Sequence, residues 1–191
     1  AEPAEGSNDS YTREIVKLLL DAGADLNAVD NRGRTPLLTA SAGSKARLLK
    51  ILLQHGANPS DQDQDSQSAL YLAACSYILT SLSYSWDQPP TNDLATLRIL
   101  LDAGANVDAV GGEYGTALIV LSAKGKYDGV RLLLDHRASL THRNAEYGSA
   151  SEAAQAEGHT EIVELLGLHE DIVCLREMRL RLASSPGVSN D

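Results

Sequence analysis

The sequence contains no long hydrophobic run and few cysteines. Its purely apolar stretches are short pieces such as 51–53 and 99–101, far below the roughly 20 residues that a membrane-spanning helix requires. The two cysteines, Cys75 and Cys174, lie far apart, and the chain does not start with a signal-like apolar segment. These absences exclude a disulfide framework. They predict a soluble intracellular protein, cytoplasmic or nuclear, with no membrane among its partners.

Positive charge is also scarce. There are 16 Lys and Arg residues against 26 Asp and Glu residues, which gives a formal charge of −10, and no local basic stripe offsets it. Because nucleic acids are bound through their phosphates, this balance excludes sequence-independent binding to DNA or RNA. The first residue is Ala rather than Met, so we expect a processed form or part of a longer chain, whose other domains would then be further partners.

The sequence does contain an internal repeat. An apolar triplet followed by a turn begins at Leu18, Ile51, Ile99 and Leu132. A second landmark, which starts with a hydroxyl residue, begins at Thr35, Ser68, Thr116 and Ser149. Successive copies of both landmarks are 33, 48 and 33 residues apart. The period is therefore 33 residues, with one insertion of 15 residues between Leu70 and Ile99.

Each unit has the pattern of two short helices, a turn and an extended finger. The first helix opens at Thr35 or its equivalents, where a hydroxyl can accept from backbone N–H groups and Pro36 suits the first turn. The second helix has apolar residues at helical spacing over 48–53 and stops at Gly56, which permits a left-handed cap. Arg137 takes this position in the fourth unit, where a positive φ would cost strain.

This pattern, with TPL, a helix, ILL or LLL, and then GA followed by Asp or Asn, resembles the ankyrin repeat from about Tyr11 to Leu166. The resemblance implies an all-α repeat solenoid, an ankyrin-repeat array of about five helix-turn-helix units with β-hairpin fingers and a 15-residue insertion in the third unit. We expect a single domain over 1–191. Its units span approximately 1–29, 30–62, 63–110, 111–143 and 144–168, followed by a C-terminal capping helix at 169–183 and a tail at 184–191.

One departure from the family concerns the coupling between repeats. The family usually has a His three residues after the Thr, where it joins successive repeats by hydrogen bonds. This sequence instead has Leu38, Tyr71, Ile119 and Glu152. We therefore expect looser or more apolar coupling.

No catalytic or metal-binding constellation can be named. Asp61, Asp63 and Asp65 begin like a calcium loop, but Ser66 stands where that loop needs Gly and Leu72 where it needs Glu. We interpret this segment as a solvated acidic finger, or one that attracts a basic partner. The histidines lack ligand spacing, and neither cysteine is in a C-x-x-C pair. We predict no cofactor, no metal and no enzymatic activity.

The insertion at 77–93 is the least repetitive segment. It holds Tyr77, Tyr84 and the only tryptophan, Trp86. Its first half can lengthen the first helix of that unit, with a buried stripe of Leu72, Ile78, Leu79 and Leu82. Two interpretations stay open for the rest, a packed elaboration of the solenoid and an aromatic contact patch for a partner.

The ankyrin resemblance implies a non-catalytic scaffold that binds another protein through a concave surface of finger tips and first helices. The candidate partner-binding residues are Arg32, Arg34, Asp63, Asp65, Cys75, Tyr84, Trp86, Glu113, Tyr114, Lys124, His142 and Arg143. Their mixed signs favour a partner of mixed charge. The alternative is an enzyme or small-molecule binder with a pocket between the 77–93 insertion and the concave face.

Overall fold

A computed structural model of the chain describes residues 6–82, 94–112 and 115–184. Short loops join the helices in these ranges. The helices are α1 (Gly6–Asp21), α2 (Pro36–Ala42), α3 (Ala46–Gln54), α4 (Ala69–Leu82), α5 (Leu94–Asp102), α6 (Ala117–Ala123), α7 (Tyr127–Asp135), α8 (Ala150–Ala156) and α9 (Thr160–Ser184).

The helices pack in two rows. α2, α4, α6 and α8 contact one another in order and form what we call the inner row, while α1, α3, α5, α7 and α9 form the outer row. Each inner helix also packs on the outer helix that follows it in sequence. Because each unit contacts mainly its neighbours, the array is an all-helical repeat solenoid.

Hydroxyl caps set the start of the inner helices, as the sequence predicts. The side chain of Thr35 accepts a hydrogen bond from the Leu38 amide, and Thr116 does the same for Ile119. Ser149 forms a full capping box with Glu152, whose carboxylate accepts from the Ser149 amide at 2.8 Å. α2, α6 and α8 each have 7 residues, whereas α4 has 14 and continues into the inserted segment as far as Leu82.

Left-handed residues end the outer helices. Gly23, Gly56 and Gly104 all have a positive φ just after α1, α3 and α5. Arg137 occupies the same position after α7 with a φ of 63°. The condition under which the sequence predicts strain at this arginine is therefore met, because its Cβ crowds the chain in this region.

The last helix differs from the sequence expectation. The sequence predicts a separate capping helix at 169–183, but α9 runs without a break from Thr160 to Ser184. In the repeat register the left-handed position of this unit falls on Glu170, three residues after Gly167. Since Glu170 does not favour a left-handed cap and a helical Gly costs only about 1 kcal/mol, the helix continues through both.

The fingers also differ from the predicted β-hairpins. In the described residues they close through isolated antiparallel bridges, Gln62 with Ser68, Val110 with Thr116 and Asn144 with Gly148, rather than through paired strands. Each of these fingers is a tight turn in which a single pair of residues forms a β-bridge. The described part of the array therefore has an all-helical architecture.

Aliphatic side chains form the core between the two rows. Leu38, Tyr71 and Ile119, which replace the family histidine, are all buried, so these positions couple the repeats through apolar contacts. The equivalent Glu152 is exposed and caps its own helix instead. In the predicted stripe of α4, Leu72 is buried and Ile78 is half-buried, so the stripe continues into the first residues of the insertion, but Leu79 is exposed and does not belong to it. The side chain of Leu82 lies outside the described part of the structure.

Candidate functional site

The first two fingers are joined by a chain of polar contacts. The guanidinium of Arg34 donates from Nε to the Oδ2 atom of Asp63 at 3.0 Å and from a terminal nitrogen to the Gln67 side-chain oxygen at 3.1 Å. The amide of Gln64 also donates to the Arg32 carbonyl at 3.1 Å. These contacts hold the finger at 30–34 in a fixed position against the finger at 63–67.

Asp63 shapes its own finger as well. Its Oδ1 atom accepts from the amides of Asp65 and Gln67, at 3.1 and 2.8 Å, and its side chain is 0% exposed. Asp63 is one of the predicted partner-binding residues, but all the contacts of its carboxylate lie inside the fingers. Arg34 is half-buried for the same reason. Both residues therefore position the surface rather than present themselves to a partner.

The third finger packs closely on the second. A side chain at Gly111 would overlap the Ser66 carbonyl oxygen, and one at Gly112 would overlap the ring of Tyr71. The side chain of Gln62 adds a hydrogen bond to the Val110 carbonyl at 3.2 Å. The glycines that the sequence places in this finger thus allow the backbone of one finger to contact the next.

Four of the sequence-predicted residues lie exposed on the finger and inner-helix surface or at its edge, and one of them is Arg143 of the fourth finger. Arg32 and Asp65 project from neighbouring finger turns, and Lys124 follows the C-terminus of α6. This surface therefore combines both signs of charge.

Cys75 lies half-buried on α4. Burial raises the pKa of its thiol, and a hydrogen bond with Tyr71 offsets this only in part. Because the thiolate is the reactive form, the structure does not favour Cys75 as a nucleophile.

The fourth finger presents a surface ion pair. A terminal nitrogen of Arg143 lies 2.6 and 2.7 Å from the two carboxylate oxygens of Glu152. The Ser149 amide and then Arg143 lower the pKa of Glu152. His142 next to this pair is half-buried. Arg143 is exposed, so it can still contact a partner with the free side of its guanidinium.

Four of the sequence-predicted residues lie outside the described part of the structure, namely Tyr84, Trp86, Glu113 and Tyr114. Of the aromatic residues of the insertion, the structure describes Tyr77. Its ring lies under the Lys126 ammonium, 5.8 Å from ring centroid to Nζ, and close to Gly129 of α7. Tyr77 is therefore packed against the following repeat.

A groove near the C-terminal end of the array was not foreseen from the sequence. It lies between the loop after α7 and the second half of α9, and it includes Arg137 and Arg176. The sequence does contain a signal for this groove. Glu170 occupies the position at which a left-handed residue ends the other outer helices, and α9 continues past it along that loop.

Among the described residues, no three His, Cys, Asp or Glu side chains are grouped so as to hold a metal ion. None of the helices described here combines the length and the apolar character needed to cross a membrane.

Comparison with known proteins identifies the repeat. The family model for ankyrin repeats (3 copies) matches residues 6–84. The B-cell lymphoma 3 protein homolog of Mus musculus is 43% identical over 63 residues, which cover 32% of this chain and 14% of that protein. Protein lin-12 of Caenorhabditis elegans is 30% identical over 129 residues, covering 55% of this chain and 9% of that protein.

A shorter relative is covered more fully. Cyclin-dependent kinase 4 inhibitor B of Rattus norvegicus is 36% identical over 95 residues, covering 50% of this chain and 62% of that protein. The chain thus spans less than two thirds of each of these three relatives. The matched repeats continue beyond residue 84 as the helix pairs α6–α7 and α8–α9, in the same register. The match over residues 6–84 thus confirms the predicted resemblance to the ankyrin-repeat family.

Proposed function

We propose that the chain is a non-catalytic interaction module that binds a partner protein of mixed charge through its finger and inner-helix surface. Ankyrin repeats are general protein-interaction modules, and one relative is by its name an inhibitor of a protein kinase. The observation that carries the proposal is the Arg34–Asp63 contact, which fixes two successive fingers and leaves Arg32 and Asp65 exposed at equivalent positions of those fingers.

A fixed surface favours binding for a physical reason. Ordering a mobile loop on association costs free energy, and a pre-organised surface avoids most of that cost. The buried Asp63 carboxylate, the Gln64–Arg32 backbone hydrogen bond and the close contact at Gly111 all hold the fingers before any partner arrives. The exposed charges then set which partner fits.

The exposed charges alternate in sign over this surface. Arg32 and Lys124 are positive, and Asp65, Glu146 and Glu157 are negative. A strongly basic or strongly acidic partner would meet repulsion at part of the surface, so a partner with both signs fits best. The proposed contact set also includes the remaining predicted residues, Tyr84, Trp86, Glu113, Tyr114, His142 and Arg143.

The alternative of a small-molecule or catalytic pocket beside the insertion gains no support from the described residues. Cys75 has a raised thiol pKa, and Tyr77 packs against Lys126 and α7. We also propose an intracellular location, because both cysteines are free thiols. As a separate proposal, the repeat units span approximately 1–29, 30–62, 63–110, 111–143 and 144–168.

The proposal can be tested with two charge-reversed variants. The test variant carries Arg32→Glu and Lys124→Glu on the proposed surface. The matched control carries Lys50→Glu and Arg131→Glu, which are exposed on the outer helices α3 and α7 and change the net charge equally. The native chain and both variants are immobilised, exposed to lysate of the source cell and compared by quantitative mass spectrometry.

A protein that the native chain and the control retain but the test variant loses would support the proposed surface. Equal retention by all three would show that the partner binds elsewhere. Retention of a small metabolite without any protein would contradict the scaffold function and favour the pocket.

A further inference from the structure

A groove with a volume of about 1170 Å³ lies between the loop that follows α7 and the second half of α9. We call it the α7–α9 groove. Its apolar lining comes from Leu134, Ala138 and Leu140 on one side and Val173 on the other. The groove is separate from the proposed partner-binding residues, except that Arg143 lies at its edge.

The length of α9 creates this groove. α3, α5 and α7 each have 9 residues, whereas α9 has 25. An outer helix of ordinary length would end near Leu168 and turn away. Because α9 continues, residues 169–176 lie alongside the loop of the preceding unit and form the second wall.

Two positive side chains face the groove without an ion-pair partner. Arg137 stands on the loop wall and Arg176 on the helix wall, and both are exposed. Neither makes an ion pair with any residue in the described ranges, unlike Arg143, which Glu152 engages. An unpaired guanidinium beside an apolar surface is suited to bind a carboxylate with two parallel hydrogen bonds.

The backbone at Arg137 supplies an independent argument. The equivalent positions Gly23, Gly56 and Gly104 are glycines, which adopt a positive φ without strain. Arg137 holds the same conformation with a side chain, and that side chain reaches into the groove. Strained residues of this kind concentrate at functional sites, where the side chain is used.

We propose that the α7–α9 groove binds a peptide segment of a partner protein in which carboxylates flank an aliphatic side chain. The carboxylates pair with Arg137 and Arg176, and the aliphatic side chain contacts Leu140 and Val173. Asp135 and Glu170 also line the groove, so a continuous acidic run is repelled and the spacing of the carboxylates matters. This binding site lies beyond the finger and inner-helix surface and does not depend on it.

The probe is a fluorescein-labelled peptide, Gly-Glu-Leu-Leu-Glu-Gly, titrated with the full chain at physiological salt and followed by fluorescence anisotropy. Arg137→Gly is the decisive variant, because it removes the guanidinium and also relieves the strained backbone. Arg176→Gln is the second variant, and Arg98→Gln serves as the matched control, since Arg98 is exposed on α5 and lies outside both the groove and the proposed contact set. A hexa-glutamate peptide and a peptide with Gln in place of Glu test the need for spaced carboxylates.

We expect Arg137→Gly and Arg176→Gln each to weaken binding at least about tenfold, because each loses a hydrogen-bonded charge pair. Arg137→Gly should melt at the native temperature or above it, so its loss of binding cannot come from unfolding. Arg98→Gln should bind like the native chain. Equal binding by the native chain and Arg137→Gly, or tighter binding of hexa-glutamate, would overturn the proposal.

Discussion

The Nε atom of Arg34 lies 3.0 Å from the Oδ2 atom of Asp63, and this contact joins two repeats. Asp63 is the repeat equivalent of Asp30, and both carboxylates accept backbone amides of their own finger. Asp63 alone of the two also receives a guanidinium from the preceding finger, and its side chain is fully buried. The pair therefore links the folding of one finger to the stacking of the next.

Asp63→Ala should lower the free energy of unfolding by about 2–4 kcal/mol, because it leaves two backbone amides and a half-buried guanidinium without their acceptor. Urea unfolding followed by circular dichroism measures this change. Asp65→Ala is the matched control, since its side chain is exposed, and it should change the value by less than about 0.5 kcal/mol. Equal effects of the two variants would show that the Arg34–Asp63 contact does not stabilise the array.

Arg137→Gly should stabilise the protein by about 0.5–1 kcal/mol. A left-handed backbone costs an ordinary residue about 1–2 kcal/mol, and glycine removes this strain. The greater conformational freedom of glycine in the unfolded chain lowers stability by about 0.4–1 kcal/mol and so offsets part of the gain. Gly56→Ala makes the reverse change at an equivalent position where no atom would contact the new Cβ, so it should destabilise by about 1 kcal/mol through the backbone alone. Thermal melts of both variants would test the pair, and a lower melting temperature for Arg137→Gly would contradict it.

The sequence was sufficient to predict the repeat and the helix pairs, because both depend on local residues that recur every 33 positions, and the same register shows that Arg137 stands at a left-handed position. The end of the last outer helix was mispredicted. Gly167 resembles a stop signal, yet the position that matters in the register is Glu170. A local glycine does not end a helix unless the chain there also adopts a left-handed turn.

The surface was harder to predict for a related reason. Asp63 sits in an acidic run that is typical of a solvated turn, but Arg34 lies 29 residues earlier and meets it only once the fingers stack. The α7–α9 groove likewise depends on where α9 passes relative to the preceding loop. Such features come from packing between repeats, which residue types within a single repeat do not reveal.

Core positions should differ sharply in their tolerance of truncation. Leu133 on α7 is 0% exposed, whereas its repeat equivalent on α1, Leu19, is 55% exposed. Leu133→Ala should therefore cost about 2–5 kcal/mol of unfolding free energy, and Leu19→Ala less than about 0.5 kcal/mol. Chemical denaturation of the two variants tests this difference. A large loss from Leu19→Ala would mean that α1 is covered by another surface in solution.

The capping box at Ser149 should make stability depend on pH. The Ser149 amide and Arg143 lower the pKa of Glu152 in the folded chain, so ionised Glu152 stabilises the fold above its ordinary pKa of about 4.3. This contribution is lost as the pH falls through the lowered folded value. Glu152→Gln keeps a side chain that can cap the helix but cannot titrate. The native chain should have the higher urea midpoint at pH 7, and the difference should shrink at pH 3. An equal difference at both pH values would show that the charge of Glu152 does not contribute.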